Sequence, residues 1–212
     1  NDPATAVRLF SEARLLAPDD QNITEDLVRA QIATGKYAEA EYNLSRLLTG
    51  DQNKHRRDLQ HMRASCLMLL DRPVEAREIL IRLTTDPAGS ADVEAWVALG
   101  QVAYVLRDYN RVKQCAARAI AIAPGRHEGY VLKALAQRKA RDFVGAKKSI
   151  QTALSISRTS DNLVLLGMIQ QDLKQHRAAR LSFAEALRVN PNDPNAGPLL
   201  AAIESKLATV PE

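Results

Sequence analysis

Residues 95–119 read AWVALGQVAYVLRDYNRVKQCAARA, and two helices are visible in them without further context. Trp96, Leu99, Gly100 and Ala103 recur at steps of three and four residues, which puts them on one stripe of a first helix. Val112, Ala116 and Ala119 form the corresponding stripe of a second. The Arg107-Asp108-Tyr109 link is only long enough for a tight turn, so the two helices run antiparallel.

The second helix has five counterparts, in the segments that begin at Asp2, Lys36, Arg72, Asp142 and Gln175. A small or modest residue occupies one slot in all six copies: Ala6, Ala40, Ala76, Val112, Ala146 and Ala179, spaced by 34, 36, 36, 34 and 33 residues. Four residues on stands a larger apolar side chain, Phe10, Leu44, Leu80, Ile150 or Phe183, with Ala116 the exception. Three further on come Ala13, Leu47, Leu83, Ala119, Ala153 and Ala186. Steps of four and then three hold all three slots on one helical face. Pro18, Pro87, Pro124 and Pro191 close four of the copies, where a helix cannot easily continue. A period near 34 residues that contains two helices predicts an α-solenoid.

Composition agrees. The 212 residues are 46% hydrophobic and 25% charged but only 4% aromatic, so Ala and Leu must supply the packing, which suits close helix–helix contact. A net charge of +4 falls short of the dense basic face of a nucleic-acid binder. Cys66 and Cys115 form no metal-binding spacing and no disulfide framework, and read as small packing residues. The longest apolar run, Leu163 to Ile169, is too short to span a bilayer, and the compartment stays open between cytoplasm and periplasm.

The chain resembles the tetratricopeptide repeat (TPR) family. The family's Trp-x-x-Leu-Gly element matches Trp96, Leu99 and Gly100, and its small–bulky–small–Pro series matches Ala179, Phe183, Ala186 and Pro191, and also Ala6, Phe10, Ala13 and Pro18. The resemblance implies an all-α fold, a right-handed α-α superhelix of antiparallel helix pairs. Its units are expected at 21–52, 53–90, 91–125, 126–159 and 160–193, with 1–20 the second helix of a truncated repeat and 194–212 a C-terminal capping helix. Two copies depart from the pattern: Arg63 and Lys133 stand where the family prefers Leu, and their stems must lie along apolar surface while the charge reaches water. Trp96 is expected as a core anchor. On this alignment Asn1-Asp2-Pro3 corresponds to the turn Arg107-Asp108-Tyr109, so another amphipathic helix is expected to precede it, although Pro3 would also suit the first turn of a helix that starts there.

No phosphate-binding glycine loop, nucleophile elbow or HExxH pair occurs, and His55, His61, His127 and His176 are scattered, so neither an enzyme nor a cofactor or metal site is expected. The family resemblance implies a protein or peptide partner held in a concave groove lined by the first helices, with no small-molecule substrate. Carried over copy by copy, the groove slots are Glu25 and Arg29; His61, Ser65 and Met68; Val97, Gln101 and Tyr104; Val131, Leu135 and Arg138; and Val164, Met168 and Gln171. This surface has an apolar centre edged by Arg29, Arg138 and Lys139, with Tyr104 and Arg138 as the expected hot spots. The Lys and Asn slots with which one TPR subclass clamps chaperone C-termini hold Val97, Gln101, Leu135 and Met168 here, which disfavours that ligand. The expected role is a scaffold in a bacterial assembly, secretion or pilus-biogenesis system. The alternatives are an RNA-binding helical-repeat protein, disfavoured by Val, Leu and Met in the would-be base-reading slots, and the recruiting arm of a larger enzyme. Self-association through the N-terminal face is a further expectation.

Overall fold

A computed structural model describes residues 2–50, 53–86 and 91–208; Asn1 and Pro87 lie outside them. All regular structure among the described residues is helical. The helices are α1 (Pro3–Leu16), α2 (Gln21–Ala33), α3 (Tyr37–Leu47), α4 (Arg57–Leu69), α5 (Pro73–Thr85), α6 (Val93–Val105), α7 (Tyr109–Ile122), α8 (Glu128–Lys139), α9 (Phe143–Ile156), α10 (Ser160–Asp172), α11 (His176–Val189) and α12 (Ala196–Ala208). They form two compact units, Asn1–Ala95 and Trp96–Glu212. Among the described residues no helix is long and apolar enough to cross a membrane.

The even-numbered helices α2 to α10 all stop by the same device. Gly35, Asp71, Arg107, Arg141 and Lys174 adopt left-handed backbone, with φ of 76, 56, 59, 61 and 62°. Each lets the next amide reach back across the turn, Lys36 to the carbonyl of Gln31, Arg72 to Leu67, Asp108 to Ala103 and Gln175 to Gln170 at 2.8 Å, and Asp142 to Gln137 at 2.9 Å. The six-to-one bond satisfies a carbonyl that the helix end would otherwise leave bare, and turns the chain back on itself. Four of the five positions are not glycine, although the left-handed region costs an ordinary residue about 1–2 kcal/mol. Asp108 and Asp142 then cap the returning helices by accepting the N–H of Arg111 and Gly145, and Asp2 caps α1 in the same register through Ala4 and Thr5.

The three-slot stripe is the core. In α3, α5, α7, α9 and α11 every slot residue is buried, from Ala40, Leu44 and Leu47 to Ala179, Phe183 and Ala186; in α1, Ala6, Phe10 and Ala13 are half-buried. The core is a string of local clusters, each drawing on consecutive helices. In the first unit Val28, Ala40, Leu44, Leu59 and Cys66 join α2, α3 and α4. In the second, Ala134, Ala146, Ile150 and Ile169 join α8, α9 and α10, and Leu163, Phe183, Ala196 and Ile203 join α10, α11 and α12. Burying one such large side chain contributes roughly 1.5–3 kcal/mol. Phe183 packs against Gly167, where a Cβ would strike its ring. Both cysteines are buried and unpaired, and burial pushes their thiols up to about 11.

Trp96 differs from expectation. It is only partly buried, its indole N–H has no hydrogen-bond partner among the described residues, and the Arg118 guanidinium lies 5.4 Å from its ring centre. Arg63 is not simply solvated either: its Nε donates to Glu41 on α3 at 2.9 Å. Lys133 does extend to solvent.

A second repeating element is polar. Twelve residues separate Gln31 from Asn43, Gln137 from Ser149 and Gln170 from Ser182, and each pair is hydrogen-bonded across its hairpin, at 3.0, 2.6 and 2.7 Å. The same register holds Leu67 with Ile79 and Ala103 with Cys115, all buried. Both partners change class together because a lone buried polar group costs about 1–3 kcal/mol. Ser182→Ala, which strands the Gln170 carbonyl, is therefore expected to destabilise by about 1–3 kcal/mol. Adding Gln170→Leu should restore much of that loss in a double-mutant cycle of denaturant melts.

Candidate functional site

The even-numbered helices carry every residue expected to face a partner. In the second unit three of them meet at one cavity. Gln101 of α6, Val131 and Leu135 of α8, and the start of α10 at Asp161 and Asn162 enclose about 230 Å3, with Leu132 also in the wall. Helical spacing explains the grouping, since Val131 and Leu135 lie one turn apart on the same face of α8. Thr159 holds the α10 terminus in place by accepting the Asn162 N–H at 3.2 Å. Gln101 is exposed and Val131 and Leu135 half-buried, the latter two also packing on the α8–α10 core.

The rim is acidic, not basic as expected. Glu128 and Asp161 line it, and the Glu128 carboxyl is held below the usual range chiefly by Arg126, whose guanidinium is 2.7 Å away. The basic residues assigned to the edge are engaged elsewhere. Arg138 donates to Asp172 of α10 at 2.5 Å. Lys139 sits 5.5 Å from the Tyr104 ring and 5.9 Å from that of Tyr109, which itself packs edge-on against Tyr104. Tyr104 and Arg138 thus tie successive hairpins together, and neither stands free for a partner. Val97 and Val164 are buried, at 8% and 7% exposure, and leave the candidate surface, because their stripe turns into the core rather than toward the groove. Met168 packs against the α10–α12 cluster, half-buried, and Gln171 is half-buried too.

In the first unit the candidates are drawn into ion pairs. Glu25, almost buried, receives a two-pronged bond from Arg56 at 3.0 and 3.1 Å, and Arg29 lies 3.5 Å from it and 2.9 Å from Asp26. His61 pairs with Asp92 at 2.9 Å, where Arg57 also donates at 2.6 Å. Ser65 is exposed and Met68 half-buried. A cavity of about 420 Å3 in this unit is lined by other residues, among them Leu48, Gln60, Ile79 and Leu83, and includes none of Arg29, His61, Ser65 or Met68.

Sequence comparison agrees with the helix-pair repeat. Family models described as tetratricopeptide repeat match residues 1–60 and 160–193. Those two stretches are tetratricopeptide repeats. No curated protein matches it. Among solved structures, the TPR protein TTC0263 of Thermus thermophilus superposes with a TM-score of 0.73 at 17% identity, covering 84% of this chain and 96% of that one. PilW, a type IV pilus biogenesis factor, gives 0.76 at 16% identity over 94% and 91%. The first TPR domain of Spaghetti (RPAP3), bound to the HSP90 peptide SRMEEVD, gives 0.52 at 18% identity over 55% and 94%. At these identities the likeness is one of fold.

Asp92 was invisible as a site from sequence, yet it organises the start of α6. Burial opposes its ionisation, but His61, the Ala95 N–H and Arg57 together lower its pKa from 3.8 to about 2. A carboxylate depressed in the folded state contributes stability that is fully present above its unfolded value and lost as pH falls through the folded one. Asp92→Asn is therefore expected to lower the melting temperature at pH 7. Its deficit against the parent protein should close between pH 5 and pH 2 in circular-dichroism melts.

Proposed function

We propose that the protein is a non-catalytic scaffold whose concave groove on α6, α8 and α10 receives an extended or helical segment of a protein partner. The observation that carries this reading is the cavity itself: an apolar floor of Val131, Leu132 and Leu135 under a rim of Gln101, Glu128 and Asp161. Such a site takes an apolar side chain as anchor and orients it with polar contacts at the edge. Asp161 is exposed and Glu128 is shared with Arg126, so the rim favours a segment with a basic or hydrogen-bond-donating group beside its anchor. This is opposite in sign to the acidic peptide held by the Spaghetti domain, and Val97, Gln101, Leu135 and Met168 supply no cation at the corresponding slots. The likeness to PilW supports a role in a bacterial assembly, secretion or pilus-biogenesis system.

The test is capture of partners from the native host by the intact chain and by two variants at exposed rim positions, Gln101→Trp and Asp161→Lys. Both should keep the parental helicity and melting temperature while losing at least tenfold in affinity for the retained partner. Undiminished capture by both variants would sink the concave-groove reading.

A further inference from the structure

The opposite face of α8 carries a second opening, on the α7 side. Lys113, Ala116, Ala117 and Ile120 lie at i, i+3, i+4 and i+7 on α7, and Lys133, Ala136 and Gln137 at i, i+3 and i+4 on α8, so each helix presents one face to a common trough of about 390 Å3. Its origin is legible in the repeat. Where other hairpins place Leu44, Leu80, Ile150 or Phe183, this one has Ala116, and the floor lacks the large side chain found elsewhere. Lys133 stands at one of the two positions where the chain departs from the family's Leu. The two departures meet at one place: a floor of small apolar groups bracketed by two exposed ammonium groups.

The charged lining of the trough is one-sided, Lys113 and Lys133 with no acid among its lining residues, and it lies in a basic stretch of the chain. Residues 109–156, which span α7 to α9, contain ten Arg and Lys but only Glu128 and Asp142 as acids, whereas the chain as a whole carries a net charge of only +4. Of the two acids, Glu128 pairs with Arg126, and Asp142 accepts from Gln137 and the Gly145 N–H.

We infer that the α7–α8 trough is a second docking site, distinct from the concave groove, for an acidic segment of a partner protein that seats a large apolar side chain between carboxylates. The apolar floor supplies the anchor pocket, and Lys113 and Lys133 select the charge of its flanks. A nucleic acid would answer to the same positive field but would draw nothing from the Ala116–Ile120 floor.

Fluorescence anisotropy on the full chain tests this with a labelled helical 15-residue peptide carrying Leu at every third and fourth position and Glu elsewhere. Its Lys-for-Glu counterpart and a 15-nucleotide oligothymidylate serve as comparators. The acidic peptide should bind at least tenfold more tightly than the other two. Lys113→Glu with Lys133→Glu, and separately Ala117→Trp, which fills the trough from an exposed position, should each weaken it tenfold or more. Lys148→Glu, a charge change on α9 away from the trough, should alter it less than threefold. Equal loss from Lys148→Glu and from the Lys113→Glu, Lys133→Glu double variant, retention of binding in Ala117→Trp, or tighter binding of the oligonucleotide would each overturn the proposal. None of these outcomes bears on Gln101→Trp or Asp161→Lys, so the two sites stand or fall separately.

Discussion

The left-handed residue that ends each first helix is the constraint on which the rest depends. A helix that stops at a six-to-one bond and reverses within two residues commits its successor to lie antiparallel against it. Once that is imposed, the three-slot stripe of the returning helix has only one place to go, the face of the helix it has just left and of the one that follows. Lys174 and Arg107 hold this conformation without the freedom of glycine because the packing on either side of the turn leaves no alternative. The conformational cost of each turn is small beside the burial it arranges, since a hairpin such as α10–α11 seals Leu163, Phe183 and Ala186 at once.

What the turns leave outside is as regular as what they bury. Each first helix has a face toward its own hairpin partner, a face toward the preceding repeat and a remainder that no hairpin covers. On α8 the remainder divides in two. Val131 and Leu135 look onto an acidic-rimmed cavity with Gln101 and Asp161, while Lys133 and Ala136 look onto the trough beside α7. One twelve-residue helix thereby offers two surfaces of opposite electrostatic character. Ion pairs then decide which charges are available to a partner. Arg138 and Glu25 are committed to Asp172 and Arg56, holding repeats together, and such ties are worth more for fixing geometry than for stability alone.

The repeat and its packing residues were legible because they depend on spacing. Ala40, Ala146 and Phe183 could be assigned to the core from position alone, since steps of four and three on a helix have one structural meaning. The polar Gln-to-Asn or Gln-to-Ser pairs were equally periodic, and their twelve-residue spacing could have revealed them. The candidate site was legible only in part. Gln101, Val131 and Leu135 meet at one cavity as their register suggests, but Val97 and Val164 turn inward, and Tyr104 and Arg138 are committed to Lys139 and Asp172. A rotation of one residue step moves a side chain by about 100° around a helix axis, enough to exchange groove for core.

The sequence by itself therefore determined the helix pairs, their antiparallel order and the identity of the residues that hold them, because these follow from local periodicity and from where a helix must end. Only the tertiary structure decided which charges remain available, where the rim of the groove turns acidic, and that an alanine in a bulky slot opens a trough beside two lysines. Those properties belong to residues brought together from different helices, such as His61 with Asp92 at 2.9 Å, and no spacing along one helix encodes the distance between two.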